Sequence, residues 1–332
     1  MSLLQKLNNQ HIGYVSAIIA AILFGSVSTI TKPVLEDLNA FSVSSLTYII
    51  AGLTIVPFLK FSFTNTSPTT NPHSNNNNSN TLDSTDNTFN KERKWTNNNR
   101  KNYFLLLLTS LCGAVIAPIL FFYGLSITSA SDSSILINGE ILFSILLAIV
   151  FFNEKLIRRE ILALILVLAG IVILTTNMQF LSLSSSNSFL QFNIGNILIV
   201  GATLFWALDN NISKILSKTI HIPQIIVLKT LIGGSILFIL FIIIFGIEDL
   251  VDTITVVHIP YLVFAGSMGF GASLFFFLHS LKRIGTVKTM LLFSTSSIFG
   301  MIFAKAFLNE SITMYQIFAI GAILSGCYLI KR

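Results

Sequence analysis

The sequence predicts an all-α integral membrane protein of ten transmembrane helices, arranged as two inverted five-helix repeats. Three observations carry this prediction. Apolar residues make up 53% of the 332-residue chain and charged residues 10%, with a mean hydropathy of +0.79, a balance that a water-soluble fold of this length does not tolerate. Lysine and arginine gather in alternate loops between the apolar stretches. A hexapeptide, Phe151-Phe152-Asn153-Glu154-Lys155-Leu156, returns as Phe307-Leu308-Asn309-Glu310-Ser311-Ile312 at an offset of 156 residues, and the apolar stretches around both copies align without a gap.

The helices follow from the length of each apolar run. A hydrocarbon crossing takes about 20 mainly apolar residues in a helix, because backbone groups in lipid must bond within their own segment. Such runs lie near 12–31, 40–60, 103–125, 132–152 and 157–176 in the first half, then 194–214, 223–246, 257–280, 287–307 and 312–330 in the second. The polar start of the chain carries Lys6, and the apolar run after it is too long for a signal-peptide core, so the first helix is expected to be retained. Cys112 and Cys327 fall inside apolar helices and do not correspond under the repeat offset, which argues against a disulfide framework.

Orientation follows from the basic loops, since positive loops stay on the cytoplasmic side. Lys6 precedes the first helix; Lys91, Arg93, Lys94, Arg100 and Lys101 lie between the second and third; Lys155, Arg158 and Arg159 lie between the fourth and fifth. Lys214 and Lys218, then Lys282, Arg283 and Lys288, then Lys331 and Arg332 continue the alternation, whereas the opposite loops hold Glu36, Asp37, Glu248, Asp249 and Asp252. Both termini are therefore expected in the cytoplasm, with the chain a multi-pass protein of the cell membrane. The net charge of +6 is spread over loops as topology determinants and implies no nucleic-acid partner.

The repeat register holds beyond the hexapeptide. Gly113 maps onto Gly269, Phe121 onto Phe277, Phe143 onto Phe299 and Gly170 onto Gly326 at one offset. Upstream, Lys32 matches Lys214 and Gly52 matches Gly234 at 182, so the first half carries an insertion of 182 minus 156, or 26, residues. Residues 61–102, dominated by Asn, Ser and Thr, read as a disordered linker on the cytoplasmic side. The two repeats thus span 12–176 and 194–330. Five helices per repeat is an odd number, so the second copy enters from the opposite face. Inverted repeats are a recurrent transporter architecture, because exchange of the two repeat conformations opens one site to either side.

With ten helices, a five-helix repeat, Phe-Phe-Tyr-Gly-Leu at 121–125 and Phe-Phe-Asn-Glu-Lys-Leu at 151–156, the chain resembles the EamA-type members of the drug/metabolite transporter superfamily. The resemblance spans essentially all of the chain. It includes the acidic residue after the fourth helix of each repeat, Glu154 and Glu310, and the segment Phe205-Trp206-Ala207-Leu208-Asp209-Asn210-Asn211 that opens the second repeat. What it implies is a carrier for an amino acid, another small metabolite or a drug, and nothing narrower.

Charged groups within a bilayer cost several kcal/mol and tend to face a cavity or a partner. Glu140 lies about 12 residues, or roughly 18 Å, from the cytoplasmic end of the fourth helix, close to the midplane of a core about 30 Å thick. A carboxyl at that depth suits substrate binding or proton coupling. Ser133, Ile137 and Ser144 share its face by helical spacing, and Asn138 points elsewhere. The competing reading is a Glu140 that hydrogen-bonds to a neighbouring helix and has no part in transport. Its repeat counterpart is Ser296, within Ser294-Thr295-Ser296-Ser297, a run that suits either the opposite wall of a cavity or a close helix contact.

Asp209 and Lys229 fall at a common depth, about 8 to 9 Å inside the cytoplasmic boundary, on helices joined by a short loop. An ion pair between them is expected, because either charge buried alone is expensive; the alternative has Lys229 binding an anionic substrate group, helped by Asn210 and Asn211. Trp206, and Tyr123 with its repeat counterpart His279, are further candidates for a cavity position. Lys32 and Lys305 lie near outer helix ends, where long side chains snorkel, and Asp132 opens the fourth helix, where an acid suits the helix dipole.

The alternative class is a polytopic membrane enzyme, or a sensor without transport activity. An enzyme needs a reacting constellation, and His11, His73, His221, His258 and His279 show no metal-ligand spacing; a phosphate loop, a CxxC pair and a nucleophile elbow are also missing from the sequence. The expected protein is therefore a carrier and not an enzyme, with no cofactor or metal. Its partners are a small-molecule substrate and the lipid bilayer. Fusion of both repeats in one chain favours a monomer, with a homodimer the alternative.

Overall fold

The computed structural model describes residues 3–64, 100–152, 158–176, 193–216, 219–246, 248, 254–284 and 286–329. Most of the expected linker 61–102 lies outside them, as do Glu154, Lys155, Lys218, Asp249, Asp252, Lys331 and Arg332. Among the described residues all regular structure is helical: α1 (Leu3–Asp37), α2 (Ala40–Thr64), α3 (Arg100–Leu111), π1 (Cys112–Ile116), α4 (Ala117–Ser126), α5 (Ala130–Leu136), α6 (Gly139–Phe152) and α7 (Arg158–Thr176) come first. There follow α8 (Ile194–Leu216), α9 (Ile222–Phe245), α10 (His258–Phe264), π2 (Ala265–Ala272), α11 (Ser273–Ile284), α12 (Thr286–Phe293), α13 (Ser296–Leu308) and α14 (Met314–Leu329).

These elements fall on the ten apolar runs. Five of them, Gln10–Asp37, Ala40–Leu59, Asn102–Ser126, Ile222–Phe245 and His258–Ser280, are long and apolar enough to cross a membrane among the described residues. Shorter apolar helices occupy Ile161–Thr176, Ser296–Leu308 and Met314–Leu329. The chain is a multi-pass membrane protein.

Irregularities recur at the repeat offset. The third and eighth runs each contain a π segment, π1 and π2, and residues 112–116 map onto 268–272 within π2. Pro118 lies in the first turn of α4, two residues past π1; its missing N–H leaves a carbonyl of the preceding turn without a helical donor, and a widened turn accommodates that. The fourth and ninth runs are each broken in their first half, at Ile137–Asn138 and, one residue past the matching position, at Ser294–Thr295. The breaks touch: the Asn138 amide donates to the Ser297 hydroxyl just past the second break.

The contacts between halves are reciprocal. Helix α1 packs on α11 and α13, while its counterpart α8 packs on α4 and α6; α2 packs on its own counterpart α9, and α7 on α14. This is the pattern a two-fold relation between halves produces. Glycines permit the closest approaches. A Cβ on Gly234 would stand 3.0 Å from the backbone nitrogen of Ile49, and one on Gly326 would stand 2.7 Å from the carbonyl of Ala163. Small residues at these positions let backbones meet where lipid supplies no hydrophobic drive.

Candidate functional site

A cavity of about 100 Å³ lies between the halves. The polar side chains that line it include Glu140 at the start of α6, Asp209 and Asn210 on α8, and Lys229 on α9; its walls are the rings of Phe24, Tyr48, Trp206, Phe270, Phe277 and Phe293. The break after Leu136 puts Glu140 in the first turn of a new helix, and one turn of α8 carries Trp206 and Asp209 to the same face.

The Lys229 ammonium donates to Asp209 Oδ2 at 2.5 Å, and both residues are buried. The Ser213 hydroxyl donates to Asp209 Oδ1 at 3.0 Å. The expected ion pair is therefore present. Across the cavity the Asn210 amide donates to Glu140 Oε1. Trp206 Nε1 donates to the Gly113 carbonyl at 3.2 Å and approaches the Tyr48 hydroxyl at 3.3 Å, which orients the indole against the Phe121 ring. Gly113 has to be glycine here: a Cβ at this point of π1 would run into the Asp209 carboxylate.

A second, polar pocket of about 600 Å³ lies at the other ends of these helices, lined by Lys32, Asp132, Asn193, Glu310 and Gln316 among others. The Glu310 carboxylate accepts from the backbone N–H groups of Ala130 and Ser131, at 2.8 and 2.9 Å, and from the Ser131 hydroxyl at 2.6 Å. It thereby caps α5, a helix of the opposite half. Lys32 does not snorkel as expected; its ammonium donates to the carbonyls of Leu125, Ser126 and Thr128 at 2.8, 3.0 and 2.7 Å, closing the end of α4. Asp132 is more than a dipole partner. It is buried, and it accepts from Gln316 Nε2 at 2.6 Å and Asn196 Nδ2 at 3.3 Å.

Between the two pockets, Val27, Phe121, Leu125 and Leu136 are fully buried, and the Ser28 and Ser133 hydroxyls meet at 3.1 Å. A packed layer separates the cavity from the second pocket. Lys305, by contrast, is exposed in the last turn of α13, as expected of a snorkelling side chain.

Of the residues singled out in the sequence, Glu140, Asp209, Asn210, Lys229 and Trp206 come together around the cavity. Tyr123 and Ser296 do not. Tyr123 is 55% exposed on the outer face of α4, whose inward residues are Phe121 and Phe122. Its counterpart His279 stacks on Phe275, away from the lining. Ser296 is buried at the start of α13, where a Cβ on Gly25 would come within 2.5 Å of its carbonyl oxygen, so it belongs to a helix contact. Ser133, expected on Glu140's face, instead bonds to Ser28, because the break at Ile137–Asn138 interrupts the helical phase. Apart from Trp206 the aromatic walls were missed; Phe24 and Phe270 carry no polar signal that distinguishes them from lipid-facing residues, and the Tyr48 hydroxyl meets Trp206.

Interrupted helices around an aromatic-walled cavity that holds buried charges, inside a bundle of membrane-length helices, define a multi-pass membrane protein of the carrier type. The model of the EamA-like transporter family matches residues 88–176 and 193–332. The chain belongs to that family and is a membrane transporter of the drug/metabolite type. A protein of Methanothermobacter thermautotrophicus, described as an uncharacterized transporter, is 31% identical over 318 residues, covering 96% of this chain and 85% of that one. A protein crystal structure superposes with a TM-score of 0.62 at 10% identity, covering 96% of each chain, which is a likeness of fold alone.

Proposed function

We propose that this protein carries a small metabolite or drug across the cell membrane by alternating access, with Glu140 as the binding or proton-coupling carboxylate. The observation that carries this reading is the cavity itself: an ionisable residue at the break of an interrupted helix, facing an ion pair and an amide contributed by the other half. The ten helical runs are then membrane crossings, the halves 12–176 and 194–330 are inverted copies, and both termini lie in the cytoplasm. The reciprocal helix contacts and the π segments and breaks at matching offsets support the two-fold relation.

Transport then works by exchange between halves. In the present conformation the packed layer of Val27, Leu125 and Leu136 shuts the cavity towards the Glu310 pocket. Opening that side requires Glu310, in the second half, to release the amino end of α5, in the first. The Asp209–Lys229 pair keeps the opposite wall neutral and fixed, while Glu140 meets the cargo or a proton. Asn210, Trp206 and the aromatic walls position what enters.

The test is flux in proteoliposomes holding the purified protein, with amino acids, organic acids and amines supplied under a pH or solute gradient. The expected result is movement of at least one of these solutes above protein-free liposomes, faster with a pH gradient than without one. Liposomes that move none of them under either gradient contradict the carrier reading.

A further inference from the structure

We infer that the cargo is a small organic monoamine, its ammonium seated beside Glu140 and its apolar body among the rings of Phe24, Trp206 and Phe270, and that the cavity selects against the corresponding carboxylic acid and zwitterion. The inference rests on the carrier reading and names the chemical class of its cargo. It comes from charge, wall chemistry and size.

Among the described residues the charged groups lining the cavity are Glu140, Asp209 and Lys229. Two of the three are committed to each other. The Lys229 ammonium is 2.5 Å from Asp209 Oδ2, and Asp209 Oδ1 is engaged by Ser213, so the two charges cancel and an anion would have to share Lys229 with its partner. Glu140 is met by the neutral amide of Asn210. With Asp209 and Lys229 cancelling, the ionised site carries one negative charge. A charge held out of water is stabilised by a counter-charge within its own cavity, and an ammonium supplies one. An anionic cargo has the reverse problem, since it places a like charge near Glu140 and has to compete with Asp209 for Lys229.

The walls fit the same class. Phe24 packs edge-on to Phe270 at 5.9 Å, approaches Phe293 at 5.2 Å and meets Trp206 at 6.4 Å, while Tyr48 lies 5.1 Å from Phe270. Ring faces attract cations, most strongly where water is excluded, and ring edges and faces pack against an apolar body. Zwitterion recognition needs a free donor cluster for the carboxylate. Among the described lining residues, Thr230 and Ser273 direct their hydroxyls to the Ile226 and Ala20 carbonyls, and the Trp206 N–H is turned to the Gly113 carbonyl, which leaves the Tyr48 hydroxyl as a single donor and not a cluster. Size sets the upper bound. A cavity of about 100 Å³ is well below the roughly 300–1,000 Å³ of sites for drug-sized ligands, which favours a one-ring or short aliphatic amine.

The test uses three probes of one shape, phenethylamine, phenylalanine and phenylacetate, titrated calorimetrically into the purified full-length protein. Phenethylamine is expected to bind at least about tenfold more tightly than either of the others, the size of one cation–π or charge contact, and to lose about that factor in Glu140→Gln. Phenylalanine or phenylacetate binding as tightly as phenethylamine overturns the inference, as does failure of all three to bind. Unchanged phenethylamine affinity in a folded Glu140→Gln protein also overturns it. If that variant does not fold, the selectivity of the parent protein among the three probes decides alone. Phenylalanine bound and moved into proteoliposomes, with phenethylamine neither bound nor moved, removes the amine assignment and leaves the carrier reading standing. Absence of flux for every solute removes the carrier reading whatever the binding order.

Discussion

Lys229→Met separates the structural from the ligand-binding role of the buried pair. In the parent protein Lys229 and Asp209 are 7% and 4% exposed, and the ammonium meets the carboxylate at 2.5 Å. The substitution keeps most of the side-chain volume and removes the charge, leaving Asp209 buried with only the Ser213 hydroxyl on it. Breaking one partner of a buried pair costs ~3–5 kcal/mol. Glu140, lining the same cavity, adds a like charge and pushes the cost up, while Ser213 pulls it down, so a value of about 4 kcal/mol is expected, nearly three decades in the folding equilibrium. Removing both charges in Lys229→Met/Asp209→Leu removes the orphaned carboxylate and recovers at least ~2 kcal/mol of that loss. The assay is denaturant unfolding in detergent micelles, followed by far-ultraviolet circular dichroism, for the parent, both single variants and the double variant. Single variants within ~0.5 kcal/mol of the parent, or a double variant no more stable than the weaker single one, contradict a structural role for the buried pair.

Three further outcomes follow from the same geometry. Gly113→Ala puts a methyl group into the Asp209 carboxylate and is expected to cost ~1–3 kcal/mol, whereas Gly321→Ala, which meets nothing within 4 Å, is expected to gain about 0.5–1 kcal/mol; melting temperatures of the two variants should move in opposite directions. Glu310→Ala takes the carboxylate from the Ala130 and Ser131 N–H groups while Ser129 still caps Asp132, costs about 1–2 kcal/mol, and should speed amide hydrogen exchange at Ala130 and Ser131, with unchanged exchange there as the contrary result. Tyr123→Ala should leave the affinity of any ligand found by thermal shift within about twofold of the parent, because the ring faces away from the cavity; a larger loss would return Tyr123 to the site.

Much of the fold was legible in the sequence because the bilayer leaves little choice. A segment in lipid has to satisfy its own backbone over about 20 apolar residues, and the helices of the structure follow those runs. Depth was legible for the same reason: counting residues from basic loops brought Asp209 and Lys229 to one level, where they pair. Facing was harder. Helical spacing assumes an unbroken rod, and the break at Ile137–Asn138 resets the phase, so Ser133 does not share the face of Glu140; Tyr123 was placed by its repeat counterpart, which fixes position along the chain and not facing. Lys32 misled because its position near a helix end says nothing of the three carbonyls that the end of α4 presents to it. The aromatic lining was silent, since a phenylalanine at a cavity and one in lipid look alike in sequence.

The central claim is that the Glu140 cavity opens to each side of the membrane in turn. It is tested most directly by placing one cysteine in its wall, Thr230→Cys, on a background in which the buried Cys112 and Cys327 are replaced by Ser and Ala. A membrane-impermeant thiol reagent is then applied from each face of sealed proteoliposomes, with and without a gradient of a transported solute. Alternating access gives reaction from both faces, with the solute gradient raising reactivity on one face as it lowers it on the other. Reaction from a single face under every gradient contradicts it.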